Sequence, residues 1–270
     1  MLEIFLITIL FIIGIYFGSF FTLATYRLPI KENIIYKHSY CPNCNHKLGV
    51  FDLVPIFSYI FLGGKCHYCK NSIGIRYFLF ELLTGLVFVL FGISLKIDIY
   101  SLEIEKIVYL LLGILYFASL FMIAGINKEK NIIQKSVLYF GVLTSILYII
   151  YSCTLGVQNV YKYVIYLILM GILIVLDILY FKKNLKYNEK VELLILVLIM
   201  LIITGAYNTI SSLLLTILII GIENIILHIK TRKRAKVVTK KEKRQIAFYI
   251  CVSNIIMCIS TNLFINYILK

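Results

Sequence analysis

Tryptophan is absent from this chain of 270 residues, proline occurs only three times, and charged side chains are scarce. Charged residues make up 15% of the sequence, whereas 61% is hydrophobic and the mean hydropathy is +0.95. This apolar share excludes a soluble globular domain, because a domain of this size needs much less apolar surface. Without tryptophan, 21 tyrosines and 18 phenylalanines remain as anchors at membrane surfaces. The composition therefore predicts a membrane protein with several spans.

Eight apolar stretches are long enough to cross a bilayer as helices, although the sixth is short for a span. The predicted fold class is an all-α polytopic membrane protein with about eight transmembrane helices and a small loop domain after the first. The stretches cover approximately residues 4–25, 77–94, 107–126, 136–155, 160–181, 191–206, 209–229 and 247–268.

The positive charge is concentrated on one side of the predicted membrane. Of the 27 Lys and Arg residues, 23 lie in segments 26–76, 127–135, 182–190 and 230–246, and the opposite side keeps only Lys96, Lys106, Lys162 and Lys270. The positive-inside rule places these four segments in the cytosol and both termini outside. Because the net charge of +14 resides in membrane loops, it favours anionic lipid headgroups and not nucleic acid as the partner, especially along 230–246.

Four of the seven cysteines form two Cys-x-x-Cys pairs, Cys41 with Cys44 and Cys66 with Cys69. Two such pairs at this separation are typical of a tetrahedral four-thiolate zinc site. Two disulfides, or four unrelated thiols, are the alternatives from spacing alone. The predicted cytosolic location favours the metal, because thiols stay reduced in the cytosol.

The sequence around these cysteines resembles that of bacterial prepilin peptidases, the leader peptidase/N-methyltransferases of type IV pilus and type II secretion systems. The resemblance covers residues 18–85, with Thr22 at a position where the family usually has Asn. It is carried by Gly18-Ser-Phe-Phe-Thr-Leu-Ala-Thr-Tyr-Arg-Leu-Pro29, Cys41-Pro42, Cys44, His46, Leu48, Asp52-Leu53, Pro55, Ser58-Tyr59, Gly64-Lys65-Cys66, Cys69, Arg76-Tyr77 and Glu81-Leu82-Leu83-Thr84-Gly85.

The resemblance implies a protein of the bacterial cytoplasmic membrane that cleaves the leader of prepilins or pseudopilins on the cytosolic side. It also implies methylation of the new N-terminus from S-adenosylmethionine. The predicted domains are a first transmembrane helix over 1–25, a cytosolic zinc-binding module over 26–76 and a membrane bundle over 77–270. The bundle would contain a peptidase-like region at 107–181 and the basic loop 230–246.

The implied peptidase chemistry needs two aspartates that share a proton, and the sequence departs from the family at both of their motifs. The first position maps onto Asn127, whose amide cannot bind or release a proton at any relevant pH. The second maps onto Asp177, but the two glycines that precede it in the family are Ile174 and Leu176. The mapped dyad is therefore incomplete.

Two interpretations of Asp177 remain open from the sequence. A carboxylate within a span is a functional candidate, but Asp177 also lies near the cytosolic end, where it could reach Lys182 or Lys183. Glu129 is a weak substitute for the missing acid, because on a helix it would point away from position 127. Two functions follow: a working prepilin peptidase with a divergent site, or an inactive homologue that binds prepilins, assists assembly or only methylates.

Overall fold

The structure is a computed structural model that describes residues 2–34, 36, 38–97, 103–156, 160–184, 189–233 and 245–268. Within these ranges it contains helices, turns and two isolated bridges but no β-strand. The helices are α1 (Leu2–Arg27), α2 (Phe57–Phe61), α3 (Ile75–Ser94), α4 (Ile104–Lys130), α5 (Lys135–Thr154), α6 (Val160–Asn184), α7 (Glu189–Lys233) and α8 (Ile246–Leu263), with 3-10 turns at Leu28–Ile30 and Phe51–Leu53 and a π turn at Phe264–Ile268. The predicted all-α membrane fold is confirmed.

Seven described helices are long and apolar enough to cross a membrane, one fewer than the eight predicted stretches. The difference lies in α7, which runs for 45 residues and contains a non-helical residue at Gly205. A straight helix of that length would measure about 67 Å, more than twice the hydrocarbon thickness. Gly205 falls at the end of the predicted sixth stretch, so α7 contains the sixth and seventh stretches without a loop between them.

Hydrogen bonds around Gly205 indicate that the chain turns sharply there. Gly205 has φ 80° and ψ 170°, a conformation that favours glycine. The Asn254 amide lies 3.5 Å from the Thr204 hydroxyl and 3.3 Å from that of Ser212. Residues 204 and 212 would be separated by about 12 Å along one straight helix, so the two halves of α7 cannot share one axis.

The contacts of the chain divide it into two compact units, one of Met1–Ile114 with Ile265–Lys270 and one of Leu115–Phe264. In the first unit, α1 and α3 approach closely through glycines. A Cβ on Gly14 would lie 2.7 Å from the Cα of Gly85, and one on Gly18 would lie 2.7 Å from the Cα of Glu81. Small residues four apart allow membrane helices to pack backbone against backbone.

In the second unit, a buried polar network centres on Asn254 of α8. The Tyr116 hydroxyl donates to Asn254 Oδ1 at 2.6 Å, and the Asn254 amide faces Thr204 and Ser212 of α7. Each of these polar groups finds a partner inside the protein, which avoids the cost of leaving it unpaired in hydrocarbon. The network fixes α4, α7 and α8 against one another.

Replacing Gly14 by valine should weaken the α1–α3 contact, because the new side chain has no space against Gly85. We expect a loss of about 1–3 kcal/mol, the usual cost of overpacking, read as a lower thermal unfolding midpoint in detergent. Gly171→Val is the matched control, since nothing lies within 4 Å of a Cβ at Gly171. Equal destabilisation by both changes would contradict the close packing.

Candidate functional site

The two Cys-x-x-Cys pairs sit in two turns of the same shape, related by an offset of 25 residues, from Cys41 to Cys66. In the first turn, Cys41 N–H donates to His46 at 3.0 Å, and Asn45 N–H donates to Cys41 at 2.8 Å. In the second, Cys66 N–H donates to Asn71 at 2.8 Å and Lys70 N–H to Cys66 at 3.0 Å. Each turn is closed by one antiparallel bridge.

Left-handed residues complete both turns. Asn45 follows the first cysteine pair with φ 56°, and Lys70 follows the second with φ 58°. Asparagine tolerates this region more readily than lysine, so the second turn carries more backbone strain. This backbone reversal directs both thiols of each turn to the same side.

All four sulfur atoms meet within 4.8 Å of one another, and none of them forms a disulfide. The sulfurs of Cys41 and Cys69 are 3.8 Å apart. A tetrahedral zinc ion with bonds of about 2.3 Å would separate its sulfurs by about 3.8 Å. The cluster can therefore bind a metal ion, and the prediction that Cys41, Cys44, Cys66 and Cys69 come together is realised in the fold.

The local backbone makes the four thiols electrostatically unequal. The backbone N–H of Cys44 lowers the pKa of the Cys41 thiol to about 7. At Cys69, the backbone of Asn71 also lowers the pKa, but loss of water and hydrogen bonds to the other thiols raise it to about 11. Crowded thiols hold on to shared protons, and a bound cation would displace them.

A cavity of about 610 Å³ lies between the four-cysteine turns and the ends of α1 and α3. Its walls combine polar groups from the helices, such as Ser19 and Arg27, with residues from the turns, including Cys41 and Cys66. Arg27 is 1% exposed, and its guanidinium donates to the carbonyl oxygens of Asn33 and His38. This cavity has the size and the mixed lining of a ligand site.

Glu81 of α3 holds one wall of that cavity in place. Its carboxylate accepts the N–H of Ile56 at 2.7 Å. Ile56 has φ 65° and ψ −55°, a rare and strained γ-turn in which the N–H of Phe57 donates to the carbonyl of Pro55 at 2.6 Å. A buried charge-assisted hydrogen bond offsets this strain and positions α2, which begins at the next residue.

In the second unit, Asp177 lies beside a lysine that the sequence did not single out as its partner. Lys135 at the start of α5 donates to Asp177 Oδ2 at 2.6 Å, and its ammonium is 3.9 Å from Glu192 Oε1 at the start of α7. Asp177 is 2% exposed and Glu192 is fully buried. One ammonium thus stands between two buried carboxylates, which compensates much of their charge.

Asn127 performs a structural task at the position mapped to the first catalytic aspartate. Its side-chain oxygen accepts the N–H of Phe248 at 3.0 Å, and its amide donates to the Ile132 carbonyl at 3.5 Å. The residue is fully buried and links the end of α4 to the start of α8. An ionised aspartate could accept the first bond but could not donate the second.

In the described residues, the side chains at the mapped catalytic positions bond to different partners. Asn127 and Asp177 do not hydrogen-bond to each other, and Glu129 is an exposed residue in the last turn of α4. Two residues along a helix point about 200° apart, which directs Glu129 away from Asn127. The side chains of Lys182 and Lys183 and most of loop 230–246 lie outside the described residues.

Sequence reasoning missed Glu192 and the role of Lys135. The sequence places Glu192 and Lys135 near the predicted cytosolic ends of different spans. Whether the two side chains come into contact depends on how the helices pack. The correspondence between the two cysteine turns was visible in the 25-residue offset.

The N-terminal region matches a known protein family. Residues 12–95 match the bacterial peptidase A24 N-terminal domain. The chain is 40% identical over 96 residues to the prepilin leader peptidase/N-methyltransferase of Bacillus subtilis (strain 168), covering 34% of this chain and 39% of that protein. It is 39% identical over 79 residues to the protein of that name from Myxococcus xanthus (strain DK1622), covering 29% of this chain and 24% of that protein.

Another match covers a larger share of the chain. The prepilin leader peptidase/N-methyltransferase of Vibrio cholerae serotype O1 is 32% identical over 149 residues, which cover 44% of this chain and 55% of that protein. The chain thus spans between about a quarter and about half the length of these relatives. No solved structure matches the chain.

The purified full-length protein should contain about one metal ion per chain, held by the four thiolates. Cys66→Ser should lose that ion, because three thiolates and a hydroxyl bind it more weakly, whereas Cys153→Ser, outside the cluster, should keep it. Elemental analysis after dialysis against a mild chelator measures both. Full retention of metal in Cys66→Ser would argue against the four-thiolate site.

Lys135→Met should leave two buried carboxylates without their cation and destabilise the second unit. We expect about 1–3 kcal/mol, less than for a fully buried pair, because the Lys135 side chain is 30% exposed. Unfolding in mixed micelles measures the loss. Lys190→Met is the control at an exposed position of α7, and addition of Asp177→Leu to Lys135→Met should recover part of the stability.

Proposed function

We propose that this chain processes prepilins or pseudopilins, because its residues 12–95 match the bacterial peptidase A24 N-terminal domain and its relatives are named prepilin leader peptidase/N-methyltransferase. The proposed reaction removes the leader at the cytosolic face of the bacterial cytoplasmic membrane and methylates the new N-terminus. The observation that carries the proposal is the cavity of about 610 Å³, whose walls come from the region that matches the family.

This cavity suits a substrate that lies partly in the membrane. Ser19 and Thr22 line it from α1, Glu81 lines it from α3, and Tyr59 lines it from α2. The wall therefore contains residues from two predicted spans and from the loop module between them. A prepilin segment at the membrane surface would meet apolar and hydrogen-bonding groups in the same site.

The proposed metal is zinc, in a structural role. Four thiolates fill a tetrahedral zinc shell and leave no open position for water, as is typical of structural sites. The ion would hold the two cysteine turns together and thereby shape the cavity. S-adenosylmethionine is the proposed methyl donor, and no residue is assigned to its binding.

The proposed orientation places residues 26–76 in the cytosol and both termini outside. It rests on the positive-inside distribution of 23 of 27 Lys and Arg residues. The partners are then the prepilin and anionic lipids, without nucleic acid. The proposed domains are the first helix over 1–25, the zinc module over 26–76 and the bundle over 77–270.

For cleavage, Asp177 is the proposed retained acid. It would accept a proton from the attacking water or donate one to the leaving amine, while a second carboxylate performs the opposite step. Asn127 cannot perform that step, and Glu129 would do so only if the end of α4 unwound towards Asp177. Asp177 would also have to release Lys135, which donates to it at 2.6 Å.

A second function is favoured by these same contacts. Lys135 compensates the charge of Asp177, and Asn127 is committed to bonds with Phe248 and Ile132. Both observations fit a peptidase-like protein that binds prepilins, assists their assembly or only methylates them. In that case the cavity and the metal module would be retained and proteolysis would be lost.

Co-expression with the organism's own prepilin, in a host that lacks a leader peptidase, separates the two functions. Under the proposed function, mass spectrometry should detect cleaved and methylated prepilin, and Asp177→Asn should reduce cleavage by at least about 100-fold. Lys190→Met is the control that should leave cleavage intact.

The opposite result would favour the second function. Uncleaved prepilin that co-purifies with the chain, together with cleavage gained in the variant Asn127→Asp, would overturn the processing function. Methylation of a prepilin supplied without its leader would then distinguish a methyltransferase from a binding protein.

A further inference from the structure

The segment between the two cysteine turns exposes five large apolar side chains within twelve residues. Val50, Phe51, Phe57, Ile60 and Phe61 are 82%, 88%, 53%, 58% and 83% exposed. Each Cys-x-x-Cys turn is also known as a knuckle, and we call these five residues between the two turns the interknuckle face. Exposed apolar groups clustered in this way mark a surface that contacts a partner or a membrane.

Two contacts fix the position of this face along the axis of α3, the second predicted span. The N–H of Ile56, just before α2, donates to Glu81 of α3 at 2.7 Å. The ring of Tyr59 in α2 stacks on Phe78 of α3 with 5.4 Å between centroids. Phe78 and Glu81 lie about 4.5 and 9 Å along the helix from its first residue. Helix α2 therefore lies beside the first two turns of α3.

The start of α3 has the composition of a membrane boundary. Arg76 and Tyr77 lie in the first turn of the helix, with the Arg76 guanidinium donating to the Tyr77 hydroxyl at 3.2 Å. Arginine and tyrosine are enriched where headgroups meet acyl chains. Beyond them, Leu79 and Leu83 are 44% and 52% exposed on the helix surface. The interknuckle face thus lies at the level where the lipid-facing surface of α3 begins.

The charges around the face complement an anionic membrane surface. Lys47, Lys65 and Lys70 are exposed on the adjacent turns. Asp52 is the one acidic residue in segment 50–63, and its carboxylate accepts the N–H of Gly49 at 2.9 Å and lies 3.5 Å from His67. Local partners thus offset its charge, while the lysines can reach lipid phosphates.

We propose that the interknuckle face inserts into the boundary between headgroups and acyl chains, so that the four-cysteine module is seated on the bilayer. Segments of this kind enter the membrane by about 5–10 Å, which agrees with the position of α2 beside Phe78 and Glu81. The proposal is independent of the proposed enzymatic function, since it needs only α3 as a membrane span.

Insertion has a direct effect on the cavity. Ser58, Tyr59 and Leu62 line it and belong to the same short segment as Phe57, Ile60 and Phe61. One side of this segment faces the cavity, and the other would face lipid. The bilayer thereby holds one wall of the cavity at the membrane surface, where a membrane-bound ligand can reach it.

The lack of tryptophan makes this proposal directly testable, because Phe61→Trp would carry the protein's single indole. The full chain is reconstituted in nanodiscs of anionic lipid, with and without bromine atoms on the upper part of the acyl chains. We expect blue-shifted emission, quenching by bromine and protection from aqueous iodide. Tyr36→Trp is the matched control, since Tyr36 and Phe61 are both 83% exposed, and its quenching by bromine should be several-fold weaker.

Three results would overturn the proposal. Red emission quenched by iodide would place the face in water. Blue-shifted emission without bromine quenching would mean that protein, such as a second copy of the chain, covers it. Equal bromine quenching of Phe61→Trp and Tyr36→Trp would remove the specificity of the face. Phe57→Trp repeats the measurement at a second position if Phe61→Trp does not fold.

Discussion

The convergence of four thiols within 4.8 Å is the constraint on which the N-terminal loop module depends. Between residues 28 and 74 few described side chains are buried, and Cys41 and Cys66 are two of them. A segment this short with so small a core needs an additional cross-link for stability, and a metal ion held by four thiolates is a common one. The cavity lies between these turns and α2, whose position is fixed by the contacts of Ile56 with Glu81 and of Tyr59 with Phe78.

The packing of the membrane helices depends on a different principle. An apolar side chain gains little hydrophobic free energy by moving from lipid to the surface of another helix. There, polar side chains and close glycine contacts specify the packing. Asn254 joins three helices, Asn127 joins α4 to α8, and Lys135 joins α5 to Asp177 and Glu192. These contacts explain why polar residues occur in spans without implying chemistry at each one.

The family resemblance and the polar contacts in the spans point in different directions. The module that matches the family brings its four cysteines together beside the cavity. The mapped aspartate positions contain a structural asparagine and an ion-paired aspartate. An amide that both donates and accepts cannot be exchanged for a carboxylate without losing a bond, so Asn127 is integrated into this fold.

The sequence alone determined the membrane class, the approximate spans and the four-cysteine cluster, because hydropathy and Cys-x-x-Cys spacing are local signals. It also identified residues 18–85 as the region of family resemblance. Only the tertiary structure decided that α7 turns at Gly205, that Lys135 meets Asp177 and Glu192, and that Glu81 holds Ile56. These contacts join residues 25 to 57 positions apart or depend on one backbone angle, and helix packing sets them.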